Sequence, residues 1–124
     1  MKIIISGQSN LAIYEQIVRQ IKDAIIKREL TEGEAMPSIR ALARDLQVSV
    51  ITTKRAYEEL EKENLIHSVA GKGFYVCKQD RKILKEKQTM ELEQRYMELI
   101  TESRADGLSL EEIIDLVTVL YQNQ

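Results

Sequence analysis

Met36-Pro37-Ser38-Ile39-Arg40-Ala41-Leu42-Ala43-Arg44-Asp45-Leu46 and Val50-Ile51-Thr52-Thr53-Lys54-Arg55-Ala56-Tyr57-Glu58-Glu59-Leu60 are short amphipathic segments separated only by Gln47-Val48-Ser49. In the first, Ile39, Leu42, Ala43 and Leu46 share a face. In the second, Thr53, Ala56, Tyr57 and Leu60 recur at i, i+3, i+4 and i+7, the stripe of a helix with one buried side. Ser49 is placed to cap that helix. The stripe leaves Val50, Ile51, Lys54 and Arg55 facing outward, with Thr52 beside them. Glu58, Glu59, Glu61 and Glu63 crowd the far end. Such a helix meets anions with its N-terminus, where the helix dipole also favours phosphate. This is the layout of a helix-turn-helix whose second helix can enter a DNA major groove.

The flanking sequence agrees. Ile3-Ile4-Ile5 fits either a strand or a packed N-terminal arm, and Gly7-Gln8-Ser9-Asn10 reads as a break. Ile13, Ile17, Ile21, Ala24, Ile25 and Arg28 fall at helical steps, with Tyr14 and Val18 beside them, so a helix capped by Asn10 and running to about residue 28 is expected. Leu30 to Glu34 is a loop in which Gly33 permits a positive φ. Pro37 and Ser38 open the next helix, the proline sitting where a helix start tolerates its missing N–H. Asn64 is expected to end the third helix in the left-handed conformation. Leu65 to Val69 and Phe74 to Cys77 read as strands around Ala70-Gly71-Lys72-Gly73. A hairpin with a basic, glycine-rich tip directly after a recognition helix is a wing, and Lys72 can reach a backbone phosphate.

From Lys78 the composition changes. Asp80 to Arg104 is highly charged and carries Leu92, Tyr96, Leu99 and Ile100 at helical spacing. Ala105 to Leu108 breaks it, and Ser109-Leu110-Glu111-Glu112 has the spacing of a capping box. Leu110, Ile113, Ile114, Leu116, Val117, Leu120 and Tyr121 make the last helix apolar on more than one face, as a helix that buries itself against a partner would be.

The net charge of −2 looks wrong for a DNA binder until the chain is divided. Residues 1–78 hold 12 Lys+Arg against 10 Asp+Glu, whereas residues 79–124 hold 6 against 10. Within 36–55, Arg40, Arg44, Lys54 and Arg55 face Asp45 alone. Phosphate is bound by a local patch, and the acidity belongs to the tail. Trp is absent and Phe occurs once, so the core is aliphatic. One Cys and one His exclude an internal disulfide and are too few for a structural zinc site. Cys77 reads as a buried small hydrophobe with no base or second thiol nearby, and His67 as a polar residue on a wing strand. No cofactor or metal is expected. Without a long apolar run or a signal-peptide shape, the chain reads as cytoplasmic and not membrane-bound.

Over residues 11–76 the chain resembles the winged-helix domain of the GntR family of bacterial transcription regulators. The resemblance rests on Tyr14-Glu15-Gln16-Ile17 with Ile21, Leu30, Gly33, Pro37-Ser38-Ile39-Arg40, Val48, Thr52, Ala56-Tyr57, Leu60-Glu61 and Gly71-Lys72-Gly73-Phe74. The short tail is similar to that of the YtrA-type branch, small dimeric repressors often tied to transporter operons. The resemblance implies DNA contacts by Arg40, by Ser49, Val50, Thr52 and Lys54 of the recognition helix, and by Gly71 of the wing in the minor groove. Val50 stands where a well-studied member of the family has a base-reading arginine. Val50 and Ile51 cannot hydrogen-bond a base edge but can touch thymine methyl groups, which points to an A·T-rich component in the site. Asn64 replaces the usual glycine.

The expected fold is mostly α with a small β-wing, a winged helix-turn-helix in 1–77 followed by a C-terminal α-helical hairpin in 78–124 that dimerises. The expected function is sequence-specific binding of double-stranded DNA by a homodimer that represses transcription from an inverted repeat. Ser38, Arg40, Arg44, Ser49, Val50, Ile51, Thr52, Lys54, Arg55, Gly71 and Lys72 form the candidate DNA face. The rival reading is a winged-helix module that binds protein instead of DNA. An enzyme is not expected, since no nucleophile–base pair is visible. Any small-molecule effector is unidentified; the tail is too small to enclose a sizeable pocket, so an effector would sit between subunits or between tail and winged domain.

Overall fold

The computed structural model describes residues 1–124. Helix α1 (Ile13–Ile26) buries Gln16, Ile17, Val18, Ile21, Ala24 and Ile25. It begins later than Asn10 would have it: Ala12 occupies the cap position and offers no side-chain bond. The reason lies in two glutamines. Gln16 Nε2 donates to the carbonyls of Ser6 (3.0 Å) and Leu11 (3.1 Å), while its Oε1 accepts from Ser6 N–H (2.8 Å). Gln20 exchanges the same pair of bonds with Ile4, at 2.9 and 2.7 Å. A primary amide thus gives the N-terminal segment the donor and acceptor that a neighbouring strand would give. The segment is therefore an arm and not a strand, with Ile3 and Ile5 packed on the core and Ile4, between them, 66% exposed. The helix also stops short of Arg28, which takes a left-handed backbone (φ 62°). Glu29 and Leu30 N–H both donate to the Ala24 carbonyl, turning the chain so that Leu30 is buried.

Helix α2 (Ile39–Leu46) is capped by Ser38, whose hydroxyl accepts from Ala41 N–H at 3.1 Å. Pro37 lies just outside the helix and not at its first position. Its carbonyl accepts the Tyr57 hydroxyl at 2.7 Å, so the proline fixes the approach to α2 and gives a buried phenol its partner. Gln47 turns the chain in the left-handed region (φ 56°). Helix α3 (Val50–Lys62) follows, capped by Ser49 accepting from Thr52 N–H at 3.0 Å. Thr53, Ala56, Tyr57 and Leu60 have no measurable exposure, as the stripe required. The Tyr57 ring meets Phe74 edge-on at 5.1 Å, and removing a buried aromatic of this kind costs about 3–5 kcal/mol. Asn64 ends the helix in the left-handed region (φ 61°), where a short amide side chain is tolerated.

Strands β1 (Ile66–Val69) and β2 (Gly73–Val76) form an antiparallel hairpin pairing Ile66 with Val76 and Val69 with Gly73. The segment before α2 adds a third rung: Met36 N–H donates to the Phe74 carbonyl, Gly33 N–H to that of Val76, and Val76 N–H to that of Glu34. Gly33 has φ 80°, a conformation open to few other residues. The base of the hairpin is thus stitched along its β2 edge, while on β1 Ser68 N–H donates to the Glu61 carboxylate of α3 at 3.2 Å.

Two compact units divide the chain, Met1–Leu84 and Lys85–Gln124. The first runs past Cys77 because Arg81 donates Nε and Nη2 to the Ile26 carbonyl (3.2 and 2.8 Å) and Leu84 packs on the core. Helix α4 (Arg81–Ala105) starts there. The second unit holds the rest of α4, a turn at Gly107 (φ 88°) and α5 (Leu110–Gln122), which carries the full Ser109–Glu112 capping box. Neither helix buries a single residue, and the two scarcely touch one another. No helix is long and apolar enough to cross a membrane.

Candidate nucleic-acid interface

The two capped helix starts decide what this surface offers. Ser38 and Ser49 spend their hydroxyls on Ala41 and Thr52 N–H, so each fixes the first turn of its helix. Ser49 also donates to Thr52 Oγ1 at 2.8 Å, which orients the threonine hydroxyl at the surface. Beyond these caps the face of α3 turns apolar: Val50 is 44% and Ile51 81% exposed. Two β-branched side chains held out at a helix N-terminus thus keep much of their apolar area in water, Ile51 most of all. They are available to a hydrophobic partner, and with polar neighbours on both sides they suit a groove lined by bases and methyl groups.

Five candidate cations, Arg40, Arg44, Lys54, Arg55 and Lys72, belong to the same compact unit. Arg40 in the first turn of α2 and Arg44 one turn on are exposed and have no ion-pair partner, as does Lys72 at the wing tip. Lys54 lies 3.9 Å from Glu58 across one helical turn, an exposed pair too weak to hold it against a phosphate. Arg55 behaves differently. Its guanidinium carbon sits 3.8 Å from the centre of the Tyr14 ring on α1, a contact that the residue spacing gave no sign of, because it joins two helices 41 positions apart. In the wing, Gly71 has φ 74° and Lys72 N–H closes the turn onto the Val69 carbonyl at 2.9 Å. All eleven candidate residues belong to the first compact unit.

One expectation is corrected at the base of the wing. Cys77 is half-buried rather than buried, and His67 Nδ1 lies 3.2 Å from its sulfur, so a base does stand beside the thiol. The hairpin register explains it. Ile66 pairs with Val76, which places positions 67 and 77 diagonally on one face. Counting along the strands could have found the contact. The environment does not activate the thiol: burial first, and the Glu61 carboxylate second, push its pKa up, which keeps it protonated at neutral pH.

With this geometry in place, comparison with known proteins gives a consistent picture. Residues 13–76 match the model for bacterial regulatory proteins of the gntR family. The HTH-type transcriptional repressor YtrA of Bacillus subtilis is 32% identical over 109 residues, spanning 88% of this chain and 84% of that protein. Among solved structures, a transcriptional antiterminator from Listeria monocytogenes superposes with a TM-score of 0.71 at 36% identity, covering 99% of this chain and 92% of its own. YtrA from Sulfolobus acidocaldarius, a GntR-family transcription factor, reaches a TM-score of 0.59 at 36% identity, over 73% of this chain and 96% of its own. The likeness to the first two runs through the tail as well as the winged module.

Proposed function

The chain belongs to the GntR family of bacterial regulatory proteins, a family of transcription regulators and not of enzymes, and on that premise we propose that it is a cytoplasmic homodimeric repressor of an inverted-repeat operator in double-stranded DNA. The observation that carries this reading is that one compact unit holds exposed cations without acidic partners, Arg40 and Arg44 on α2 and Lys72 on the wing, together with the exposed apolar start of α3 at Val50 and Ile51. In it, α3 lies in the major groove. Ser38 and Ser49 set the two helix starts, Arg40 and Lys54 supply the polar readout, and Val50 and Ile51 meet thymine methyls with Thr52 beside them. Arg44, Arg55 and Lys72 engage phosphates, and Gly71 lets the wing backbone approach the minor groove. Operators of transporter genes are the targets that the likeness to YtrA favours.

Dimerisation follows from the arithmetic of specificity. One such module contacts too few bases to hold its site against genomic competition, and two half-sites roughly double the specific free energy. The tail provides the means, since α4 and α5 leave Tyr96, Leu99, Leu120 and Tyr121 in water, a poor end state for apolar surface unless a second copy covers it. A duplex RNA target, the other medium open to an antiterminator-like chain, fits α3 poorly because the A-form major groove is too deep and narrow for a helix.

Selection of binding sites from a random duplex library tests the reading. An inverted repeat with half-sites about one helical turn apart, lost with Arg40→Ala, is the expected outcome. No enrichment at low salt would favour the protein-binding module instead.

A further inference from the structure

Arg55 is the one cation of α3 seated on an aromatic ring. Its guanidinium lies over Tyr14 at 3.8 Å, and Tyr14, half-buried, is itself packed against the hydrophobic core. Neighbouring Lys54 leans along its own helix toward Glu58. The difference matters chemically. A ring takes a guanidinium by its flat face through the charge and quadrupole, and none of the five in-plane N–H donors is used up in doing so. An acid would have occupied the edge of the fork that a phosphate needs. A free surface arginine also loses rotamer freedom when it is ordered on a ligand, and this loss weakens binding. Stacking on an anchored ring removes part of that loss in advance.

The position points the same way. Helix α1 packs against α3, so an α3 side chain pinned on an α1 ring stands at the border of the α3 reading face. A duplex seated on that face presents its sugar–phosphate strand at such a border, and base edges only in the middle. We propose that Tyr14 is a positioning residue that holds Arg55 as a clamp on one backbone phosphate of the duplex, so that Arg55 contributes affinity without sequence preference. The proposal rests on the DNA-binding reading above and assigns Tyr14 a part in it.

Fluorescence anisotropy of the full chain tests it, using the selected operator and a duplex of unrelated sequence over a series of salt concentrations. Arg55→Ala is expected to weaken both duplexes by similar factors and to flatten the slope of log Kd against log salt by about 0.9, the signature of one lost phosphate contact. Tyr14→Met, which fills similar space without an aromatic face, is expected to weaken both roughly three- to tenfold. Tyr14→Phe keeps the ring and is expected to bind like the parent. In the Arg55→Ala background Tyr14→Met should add nothing.

If Tyr14→Met weakens binding by the same factor with or without Arg55, the ring only supports the fold and the proposal fails. It fails equally if Arg55→Ala weakens the operator alone and leaves the slope unchanged, for then Arg55 reads a base. Should Tyr14→Met not fold, Tyr14→Leu with and without Arg55→Ala makes the same comparison. Parent protein that binds neither duplex at low salt overturns the DNA-binding reading itself, and this proposal with it.

Discussion

Val50 and Ile51 are the residues on which sequence preference turns. Both stand in water at the start of α3, neither side chain can donate or accept a hydrogen bond, and the thymine methyl is the one apolar group the major groove displays. Replacing thymine by uracil at the contacted positions of a selected half-site removes that methyl alone. Burying one such group is worth about 0.8 kcal/mol, so each substitution is expected to weaken binding about fourfold in an anisotropy titration; unchanged affinity would remove these two residues from the readout. Tyr57 illustrates a residue whose chemistry serves the fold. Burial pushes its hydroxyl pKa well above the ordinary tyrosine value of 10.0, so the folded chain keeps a proton that the unfolded chain gives up. Its contribution is therefore complete below pH 10 and declines as the pH rises through that value. Tyr57→Phe also forfeits the bond to the Pro37 carbonyl. Urea unfolding is expected to show a loss of about 1 kcal/mol at neutral pH together with a shallower decline on the alkaline side than the parent shows.

Elements whose signals are local were readable from the chain, and those fixed by distant partners were not. Ser38, Ser49 and Ser109 cap α2, α3 and α5 through bonds to residues three positions on, a rule that needs no tertiary information. The stripe of α3 was legible for the same reason. Asn10 failed as a cap because Gln16 and Gln20, not the turn, hold the arm before α1. The proximity of His67 to Cys77 and that of Arg55 to Tyr14 depend on a strand register and on a helix packing that periodicity does not encode. The candidate face was legible as a set of residue types; that most of its cations stand without acidic partners was not. The caps yield a direct prediction. Ser49→Ala leaves Thr52 N–H without its acceptor and frays the first turn of α3, with an expected loss of about 1 kcal/mol in urea unfolding and a weaker operator complex. Ser109→Ala removes a comparable bond from α5 and is expected to leave the affinity of a single half-site untouched.

At the scale of the whole molecule the two compact units pose opposite problems. Met1–Leu84 has an interior, with Ile17, Ile21, Tyr57, Leu60, Leu65 and Ile66 almost wholly out of water. Lys85–Gln124 has none: α5 keeps Ile114, Val117, Leu120 and Tyr121 exposed, the last at 82%. A unit that buries nothing by itself gains stability only from a partner, and a second copy is the partner that also gives an inverted repeat its two-fold match. The mass of the protein–operator complex in solution, for the full chain and for residues 1–84, measures this most directly. Two full-length protomers per inverted repeat are expected, with the shortened chain binding one half-site far more weakly. One full-length protomer per operator, or a shortened chain that binds as tightly as the full one, would contradict the dimeric reading of both units.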